Sequence, residues 1–467
     1  MEPSNTGGEK VNKLFLSMIC FVASLGGVLF GFDTAVISGT FSIVEIQFGL
    51  SQMEVGWFAS SALIGAIFGA IISGSLSDRH GRKPVLITAA VLFFSSAFAS
   101  AVAPTFQMLI IARLIGGIGV GVASVLSPLY ISEVSPPKIR GRLVALYQLS
   151  IVIGILLAYF SNWSLLNYSQ FNSAEFNGAG YFRALFLSEI WRGMFAAEMI
   201  PSGLFFLLLF FVPESPRWLI KNGQDEKGLS ILAKISNLLN ARKELTEIKE
   251  TVSHVGTIGE LFKPGLRLAL LVGVGLSVFG QFTGVNIVVY YGPSILEKAG
   301  FQLESALQFQ VAIGLINLIF TVIALWKIDS WGRRPLLIGG MSMVFVSLMV
   351  IGIQFFIGMT AGIWIVVMLC IYMASLALSI NAVIWVLTGE IFPNRIRGRA
   401  MSIATFSNWS INFLTAFLFP VIVEKAGMGT SFFIFAGFCL VGTIFFYRLV
   451  PETKGKSLEV IEKYWTK

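Results

Sequence analysis

The chain has 467 residues, of which 55% are hydrophobic and only 12% are charged, and its formal net charge is +8. Soluble globular proteins carry roughly 25% charged residues, so the composition excludes an ordinary water-soluble domain. The apolar residues form continuous blocks and not alternating stripes, which also excludes a closed transmembrane β-barrel.

Twelve apolar blocks approach or exceed the length of about 20 residues that a helix needs to cross a bilayer. The sequence therefore predicts an all-α protein with twelve transmembrane helices, embedded in the lipid bilayer. The blocks lie at roughly 14–40, 55–76, 84–103, 108–131, 143–161, 191–212, 266–292, 306–327, 335–357, 361–388, 400–422 and 431–450.

Lys and Arg are concentrated in every second loop, for example at Arg79, Arg82 and Lys83, whereas segments 41–54 and 357–362 contain none. Cytoplasmic loops of membrane proteins are enriched in Lys and Arg, so both termini are predicted to lie in the cytoplasm. These loops account for the net positive charge, which therefore does not indicate nucleic-acid binding.

The first block contains a carboxylate. Asp33 follows 19 apolar residues, and the apolar character resumes at Ala35. Ionisable side chains inside a membrane are usually functional, and a carboxylate in a low dielectric needs a cation or a proton. Arg113, early in the fourth block, is the candidate partner. The alternatives are a carboxylate in an interfacial loop and an arginine whose side chain extends to the membrane surface.

Glu198 in the sixth block is interpreted equally well as a functional carboxylate or as a structural one bonded to a loop. The run Gly116–Gly121 lacks the G-x-G-x-x-G spacing and the βαβ surroundings of a nucleotide site, so it predicts close helix packing. The sequence shows no nucleophile–base pattern, cysteine cluster or phosphate loop. We therefore predict no catalytic residue, metal site or cofactor, and we do not expect an enzyme.

Segment 162–190 is predicted as the longest outward loop, and the polar segment 213–263 separates the sixth and seventh blocks. Apolar residues in the latter recur at helical spacing, which predicts short amphipathic helices on the cytoplasmic face. These residues are Leu229, Leu232, Ile235, Leu239, Leu245, Ile248 and Val252.

The second half of the chain repeats motifs of the first. The segment Asp78–Pro84 returns about 250 residues later as Asp329–Pro335, and the spacing of Glu133 from Arg140 returns in Glu390 and Arg397. Such repeats are typical of transporters whose two halves rock around a central site. The predicted organisation is an N-terminal six-helix half (1–212), a cytoplasmic helical linker (213–263), a C-terminal six-helix half (264–450) and a cytoplasmic tail (451–467).

Several amides and a tryptophan lie inside the apolar blocks, where an amide costs free energy unless it meets a cavity or a polar group. Amides bond hydroxyls as donors and as acceptors, and aromatic faces cover sugar rings, so the set predicts a site for a small neutral sugar. Hydrogen bonding between helices is the alternative for some of them. The residues are Gln148, Gln281, Asn286, Asn317, Asn381, Trp385, Asn408 and Asn412.

The chain resembles the sugar-porter branch of the major facilitator superfamily over essentially its whole length. The repeated motifs carry this resemblance, together with Pro213–Leu219 after the sixth block and Pro451–Gly455 after the twelfth. The resemblance implies the major facilitator fold, with two pseudo-symmetric halves, in a bacterial inner membrane. It implies proton-coupled symport of a neutral pentose or hexose by alternating access, without a cofactor, and we expect a functional monomer.

The resemblance also implies individual roles. Asp33 matches a proton-coupling aspartate, Arg113 its partner, and Glu198 a carboxylate linked to the same coupling. Tyr290 and Tyr291 match a pair that closes over the sugar from outside. The positions that line the sugar site are Phe30, Gln148, Gln281, Asn286, Tyr291, Asn317, Trp385 and Asn408. The positions of a cytoplasmic charge network that holds the outward-facing state are Arg82, Glu133, Arg140, Glu214, Arg333, Glu390, Arg397 and Glu452.

Three positions depart from the family pattern. Gly280 precedes Gln281 where the family usually has two glutamines, which removes an amide and is expected to leave room. Asn381-Ala382 stands for the usual Gly-Pro of the tenth block, which removes a helix breaker and adds an amide. Phe32 replaces a tyrosine before Asp33.

Two other functions are compatible with the same fold. A facilitative uniporter is disfavoured by Asp33, because such relatives often carry Asn at that position. A sugar sensor typically has a long cytoplasmic tail, whereas only 17 residues follow the twelfth block.

Overall fold

The computed structural model describes residues 12–136, 139–172, 180, 183–251, 258–263, 266–360, 362–393, 396–456, 461 and 465. Val252, which was predicted on the apolar face of a linker helix, lies outside the described residues.

Besides a π-helical turn at Ala184–Ser188, the described part of the first half of the chain contains eight α-helices. They are α1 (Lys13–Val36), α2 (Phe41–Phe48), α3 (Gln52–His80), α4 (Arg82–Val102), α5 (Phe106–Val134), α6 (Arg140–Asn172), α7 (Ile190–Ala196) and α8 (Met199–Leu209). A 3₁₀ turn at Ile37–Gly39 extends α1.

Three short helices, α9 (Pro216–Lys221), α10 (Asp225–Ile235) and α11 (Leu238–Thr251), follow, and a 3₁₀ turn lies at Ile258–Phe262. The amphipathic helices expected here are present. They enclose a small apolar core of their own, formed by Ile220, Leu232, Ala241 and Ile248. The prediction is wrong for Leu239, which is 78% exposed because α11 turns a different face inward.

The described part of the second half also contains eight α-helices. They are α12 (Leu266–Phe282), α13 (Val285–Lys298), α14 (Leu303–Trp331), α15 (Arg333–Phe356), α16 (Trp364–Leu378), α17 (Ile380–Ile391), α18 (Arg397–Ala426) and α19 (Met428–Leu449).

Twelve spans within the described residues are long and apolar enough to cross a membrane, which confirms the all-α membrane prediction. The fifth span is much longer than its apolar block. α6 continues to Asn172, so the first part of the predicted outward loop at 162–190 is helix. The prediction from the sequence missed this extension because Asn and Ser interrupt the apolar run but do not interrupt the helix.

Three spans are broken in the middle, and each break lies beside predicted site residues. The sixth breaks between α7 and α8 at Glu198, and the tenth breaks at Ser379, just before α17. The seventh breaks at Gly284, whose φ of 79° is a left-handed conformation that favours glycine. Backbone groups freed at such breaks are tolerated in a membrane only inside the protein or beside a water-filled cavity.

The glycine run in α5 serves close packing, as predicted. A Cβ added to Gly117 would lie 1.9 Å from the Ala62 carbonyl oxygen, and one added to Gly121 would lie 2.2 Å from that of Ala66. α5 therefore rests with its backbone directly on α3, which ties two spans of the first half into one unit.

Candidate functional site

The structure brings Asp33 and Arg113 into direct contact. Arg113 Nη1 lies 2.5 Å from Asp33 Oδ1, and its Nη2 donates to the Asp33 carbonyl oxygen at 3.2 Å. Asp33 lies within α1 and not in a loop, and the two residues are 1% and 2% exposed. Neither side chain reaches the membrane surface, so the pair is an ion pair enclosed by protein.

Glu198 lies beside this pair, at the junction of α7 and α8. It is 1% exposed, and within the described part of the chain its Oε1 has no hydrogen-bond partner. It interacts electrostatically with both Asp33 and Arg113, whose guanidinium also packs on the Phe195 ring at 5.5 Å. The cluster thus contains two carboxyl groups and one guanidinium, so it carries a net negative charge unless it binds a proton.

A small cavity of about 10 Å³ opens onto the ion pair, close to the least volume that holds one water molecule. Asp33, Thr34 and Arg113 line it from the first half, and Tyr290 lines it from the second. Tyr290 is itself bonded to Asn412, whose Nδ2 donates to the tyrosine hydroxyl at 3.1 Å. The cavity is therefore the place where the charged cluster meets the other half of the protein.

The predicted sugar-site residues come from seven different helices around the middle of the bundle. Phe30, Gln148, Gln281, Asn286 and Trp385 are half-buried, as expected if mid-membrane polar groups face a water-accessible space between the halves. We call that space the lumen. Asn317 and Asn408 are more enclosed, at 5% and 8% exposure.

Two contacts hold side chains of this region together. Asn286 Nδ2 donates to Gln281 Oε1 at 2.7 Å across the break at Gly284, so the two amides act as one unit. Phe30 packs on Trp409, with ring centroids 5.4 Å apart and from opposite halves. Sequence reasoning missed Trp409, although a tryptophan directly after Asn408 in an apolar span was a usable signal.

Gly280 does not leave the open space that its sequence suggested. A Cβ added there would lie 3.3 Å from Ile380 Cγ1 and 3.3 Å from Ile384 Cδ1. Both isoleucines are buried and belong to α17. Apolar side chains of the tenth span thus cover the position where the family pattern has an amide. Asn381, which is half-buried, lies on that same helix.

The repeated acidic and basic motifs lie together at one end of the bundle, here called the basic end. In the first half Arg82 bonds Glu133 with two 2.9 Å contacts and Asp78 at 3.0 Å. In the second half Arg333 bonds Glu390 and Asp329, each at 2.9 Å. Both clusters therefore lie within their own halves.

Glu214 and Glu452 complete these clusters. Glu214 accepts from the backbone N–H of Arg82 at 2.9 Å, and Glu452 accepts from that of Arg333 at 3.2 Å. The preceding Gly81 has φ 98°, and a Cβ there would lie 2.3 Å from Glu214 Oε2. Glycine is required at this position of the motif because Glu214 occupies the space that a side chain at residue 81 would need.

Among the residues that the structure describes, no contact joins the two halves through Arg140 or Arg397. Arg397 donates to the carbonyl oxygen of Phe392 in its own half at 3.4 Å. Arg140 lies near Arg217 and Glu244 of the linker helices. In this structure the charges therefore form two separate clusters, and the network expected in the outward-facing state stays a prediction.

Further contacts between the halves lie at the end of the bundle opposite the basic end. The Phe41 ring stacks on Tyr291 at 4.6 Å and 19°, and Ser42 donates to Glu297. Tyr290 and Tyr291 are 2% and 3% exposed there, and the Tyr291 hydroxyl donates to the Ala416 carbonyl at 2.9 Å. The bundle is closed at this end.

Known proteins resemble this chain along its whole length. A family model described as "Sugar (and other) transporter" matches residues 19–465. The arabinose-proton symporter of Bacillus subtilis is 40% identical, over 97% of this chain and 96% of that protein. The D-xylose-proton symporter of Escherichia coli is 38% identical over the same shares of each chain. An inward-open structure of the E. coli xylose transporter XylE superposes with a TM-score of 0.82 at 37% identity, covering 97% of this chain and all of that one.

Proposed function

Because the chain belongs to the sugar (and other) transporter family, we propose that it is a proton-coupled symporter of a neutral monosaccharide. It would work by alternating access as a monomer in a bacterial inner membrane, with both termini in the cytoplasm. The observation that carries this proposal is the buried Asp33–Arg113 pair, with Glu198 beside it. The half-buried amides and aromatic rings of the predicted sugar site support it.

The charge balance supports proton coupling. When Asp33 is ionised it pairs with Arg113 and fixes α1 to α5. A proton arriving from outside would neutralise Asp33 and release Arg113, which lets α1 move relative to α5 with sugar bound. Loss of the proton inside would restore the ion pair. Glu198, whose Oε1 has no partner among the described residues, is the second candidate to hold the proton.

The lumen favours an uncharged substrate. The half-buried side chains assigned to it are amides and aromatic rings without fixed charge. A charged ligand there would remain unpaired in a low dielectric, which costs several kcal/mol, whereas hydroxyl groups can donate to and accept from each amide. Arabinose and xylose, the cargoes named for the two relatives, have this chemistry.

The basic end, with its arginine clusters, would face the cytoplasm. The end that Tyr290 and Tyr291 close would then face outward. In that orientation the present state would be the inward-open one. Glu133, Arg140, Glu390 and Arg397 would join across the halves only in the outward-facing state. In the present state the Arg82 and Arg333 clusters hold each half together separately.

The Asp33→Asn variant in proteoliposomes tests the proposal. The amide mimics the protonated carboxyl, so the variant should still exchange labelled arabinose or xylose in counterflow. It should no longer accumulate the sugar when a pH gradient is imposed. Asp225→Asn, in an exposed pair with Lys249 on the linker, is the matched control and should accumulate normally.

Accumulation by Asp33→Asn to the parental level would refute Asp33 as the coupling site and move the role to Glu198. Parental protein that equilibrates sugar without responding to the pH gradient would identify a uniporter. Binding of a sugar acid or sugar phosphate, with no binding of neutral sugars, would contradict the substrate class.

A further inference from the structure

The outer half of the seventh span contains a carbonyl group that its own helix cannot satisfy. Pro293 lies inside α13, and proline has no N–H to donate to the carbonyl four residues earlier. That carbonyl belongs to Val289, directly before Tyr290. A buried carbonyl without a donor is costly, so the position of its replacement donor matters.

The replacement donor comes from the other half of the protein. The hydroxyl of Tyr159, on α6, donates to the Val289 carbonyl oxygen at 3.1 Å. The neighbouring Val288 carbonyl is bonded by Gln310 Nε2, on α14, at 3.0 Å. α14 belongs to the same half as α13, whereas α6 belongs to the opposite half. One donor therefore stays with α13, and the other is present only while the halves are closed here.

Close packing places the Tyr159 ring for this contact. Its neighbour on α14 is Gly314, where an added Cβ would lie 2.8 Å from Tyr159 Cδ2. Tyr159 is only 2% exposed, so water has little access to the hydrogen bond. The bond is thus a specific contact between the halves and not a surface contact.

We propose that Tyr159 is a positioning residue of the outer gate. By supplying the donor that Pro293 removes, it holds the kinked segment that carries Tyr290 and Tyr291 in its closed position. When the outside opens, the hydroxyl leaves and water can reach the Val289 carbonyl instead. The proposal rests on the alternating-access function proposed above, but it assigns a different residue and a different step.

Tyr159→Phe keeps the ring against Gly314 and removes only the donor. The closed state would then contain an unsatisfied carbonyl, whereas the open state can hydrate it. The ratio of outside-open to outside-closed molecules should rise about three- to tenfold, the value expected for one hydrogen bond.

Pulsed EPR distances measure this ratio directly. One spin label is placed at Ile46, which is 83% exposed on α2, and the other at the exposed Gln302 before α14. The three native cysteines are first replaced. Tyr130→Phe is the matched control, because it removes a tyrosine hydroxyl bond of 2.7 Å to the Pro213 carbonyl, at the start of the linker, and breaks no contact between the two halves. It should leave the distance distribution at the parental one.

Pro293→Ala provides a second, independent variant. It returns an N–H to the helix, so Tyr159→Phe should have little further effect in that background. A parental distance distribution in Tyr159→Phe, or an equal shift with and without Pro293, would overturn the proposal. Because the measurement needs neither sugar nor proton gradient, its outcome is distinguishable from failure of the symport proposal.

Discussion

Glu214 and Glu452 perform the same task in the two halves of the protein. Each accepts hydrogen bonds from the first two backbone N–H groups of a helix, α4 for Glu214 and α15 for Glu452. Their surroundings differ, however. Burial raises the pKa of Glu214, and backbone hydrogen bonds offset this only in part. Burial also acts to raise the pKa of Glu452, but bonds from Lys454, Arg333 and Arg334 outweigh it and the pKa is lowered.

Because of this difference, replacing each glutamate by the uncharged glutamine should destabilise the folded protein by different amounts. Because the pKa of Glu452 is lower in the folded protein, the ionised carboxylate stabilises the fold at any pH above about 4.3, the pKa of glutamate in the unfolded chain. This stabilisation is lost as the pH falls through the pKa of the folded state. Glu452→Gln should therefore cost about 1 kcal/mol at pH 7 after allowance for partial exposure. In thermal unfolding in detergent, the difference from the parent should stay constant from pH 8 to about pH 5 and shrink below that.

The raised pKa of Glu214 gives the opposite sign. The contribution of Glu214 to stability is present at a pH below about 4.3, the pKa of glutamate in the unfolded chain. It is lost as the pH rises through the pKa of the folded state. Glu214→Gln should therefore be nearly neutral at pH 7 and serves as the matched comparison. Equal destabilisation by the two variants at pH 7 would contradict this interpretation.

Trp385→Ala or Gln281→Ala should weaken sugar binding without unfolding the protein. Loss of a stacking face or of an amide that bonds hydroxyl groups should cost about 1–3 kcal/mol, roughly a five- to hundredfold loss of affinity. Calorimetry with arabinose and xylose measures it. Trp364→Ala, which removes a tryptophan that is 70% exposed at the start of α16, is the control and should bind normally. Unchanged affinity in both lumen variants would place the sugar elsewhere.

Gly280→Gln should change which sugar is preferred only if space is made for it. The glutamine would meet Ile380 and Ile384, so the single variant is expected to transport poorly because of overpacking. The double variant with Ile384→Ala should recover uptake and alter the ratio between two competing sugars. Ile384→Ala alone is the control. Competition profiles of the double variant that overlay those of the control would show that this position does not select substrate.

Neutralising Arg397 and Glu390 together should raise the inward-open population. In the present state Arg397 bonds only a backbone carbonyl among the contacts described for it. Removal of the Arg397 charge thus costs this state little. The Glu390–Arg333 pair lies within one half, so its loss weakens both states alike. An outward-facing state would lose its ion pairs across the halves in addition. Spin labels at the exposed His80 and Ser330 would measure the opening, with Lys249→Gln as the control. An unchanged separation in the double variant would argue against the network.

The family, the fold and the contact between Asp33 and Arg113 could be predicted from the sequence. The resemblance to sugar porters is confirmed by the family match over residues 19–465. The twelve spans could be predicted because the length of an apolar block can be read directly from consecutive residues. The contact of Asp33 with Arg113 could be proposed because a buried carboxylate needs a partner, and these two charges lie within apolar blocks.

Other features could not be read from the sequence because they depend on the tertiary structure. Nothing local to Ile380 and Ile384 indicates that they cover Gly280. Likewise, Tyr159 is one aromatic residue among many until α13 is placed beside it. A transporter must adopt at least two conformations, and the contacts between its halves differ between them. One sequence therefore encodes several sets of contacts that cannot all be present at once.

The break at Ser379 shows that a proline is not needed to interrupt the tenth span. α17 begins at Ile380, so Ala382 is its third residue. The N–H groups of the first helical turn have no acceptor within their own helix, so a proline in this turn removes no helical hydrogen bond. The proline of the family pattern would thus occupy a position where the backbone is already interrupted. Two different local sequences can encode the same discontinuity, and the missing proline is a poor guide to whether a relative has lost it.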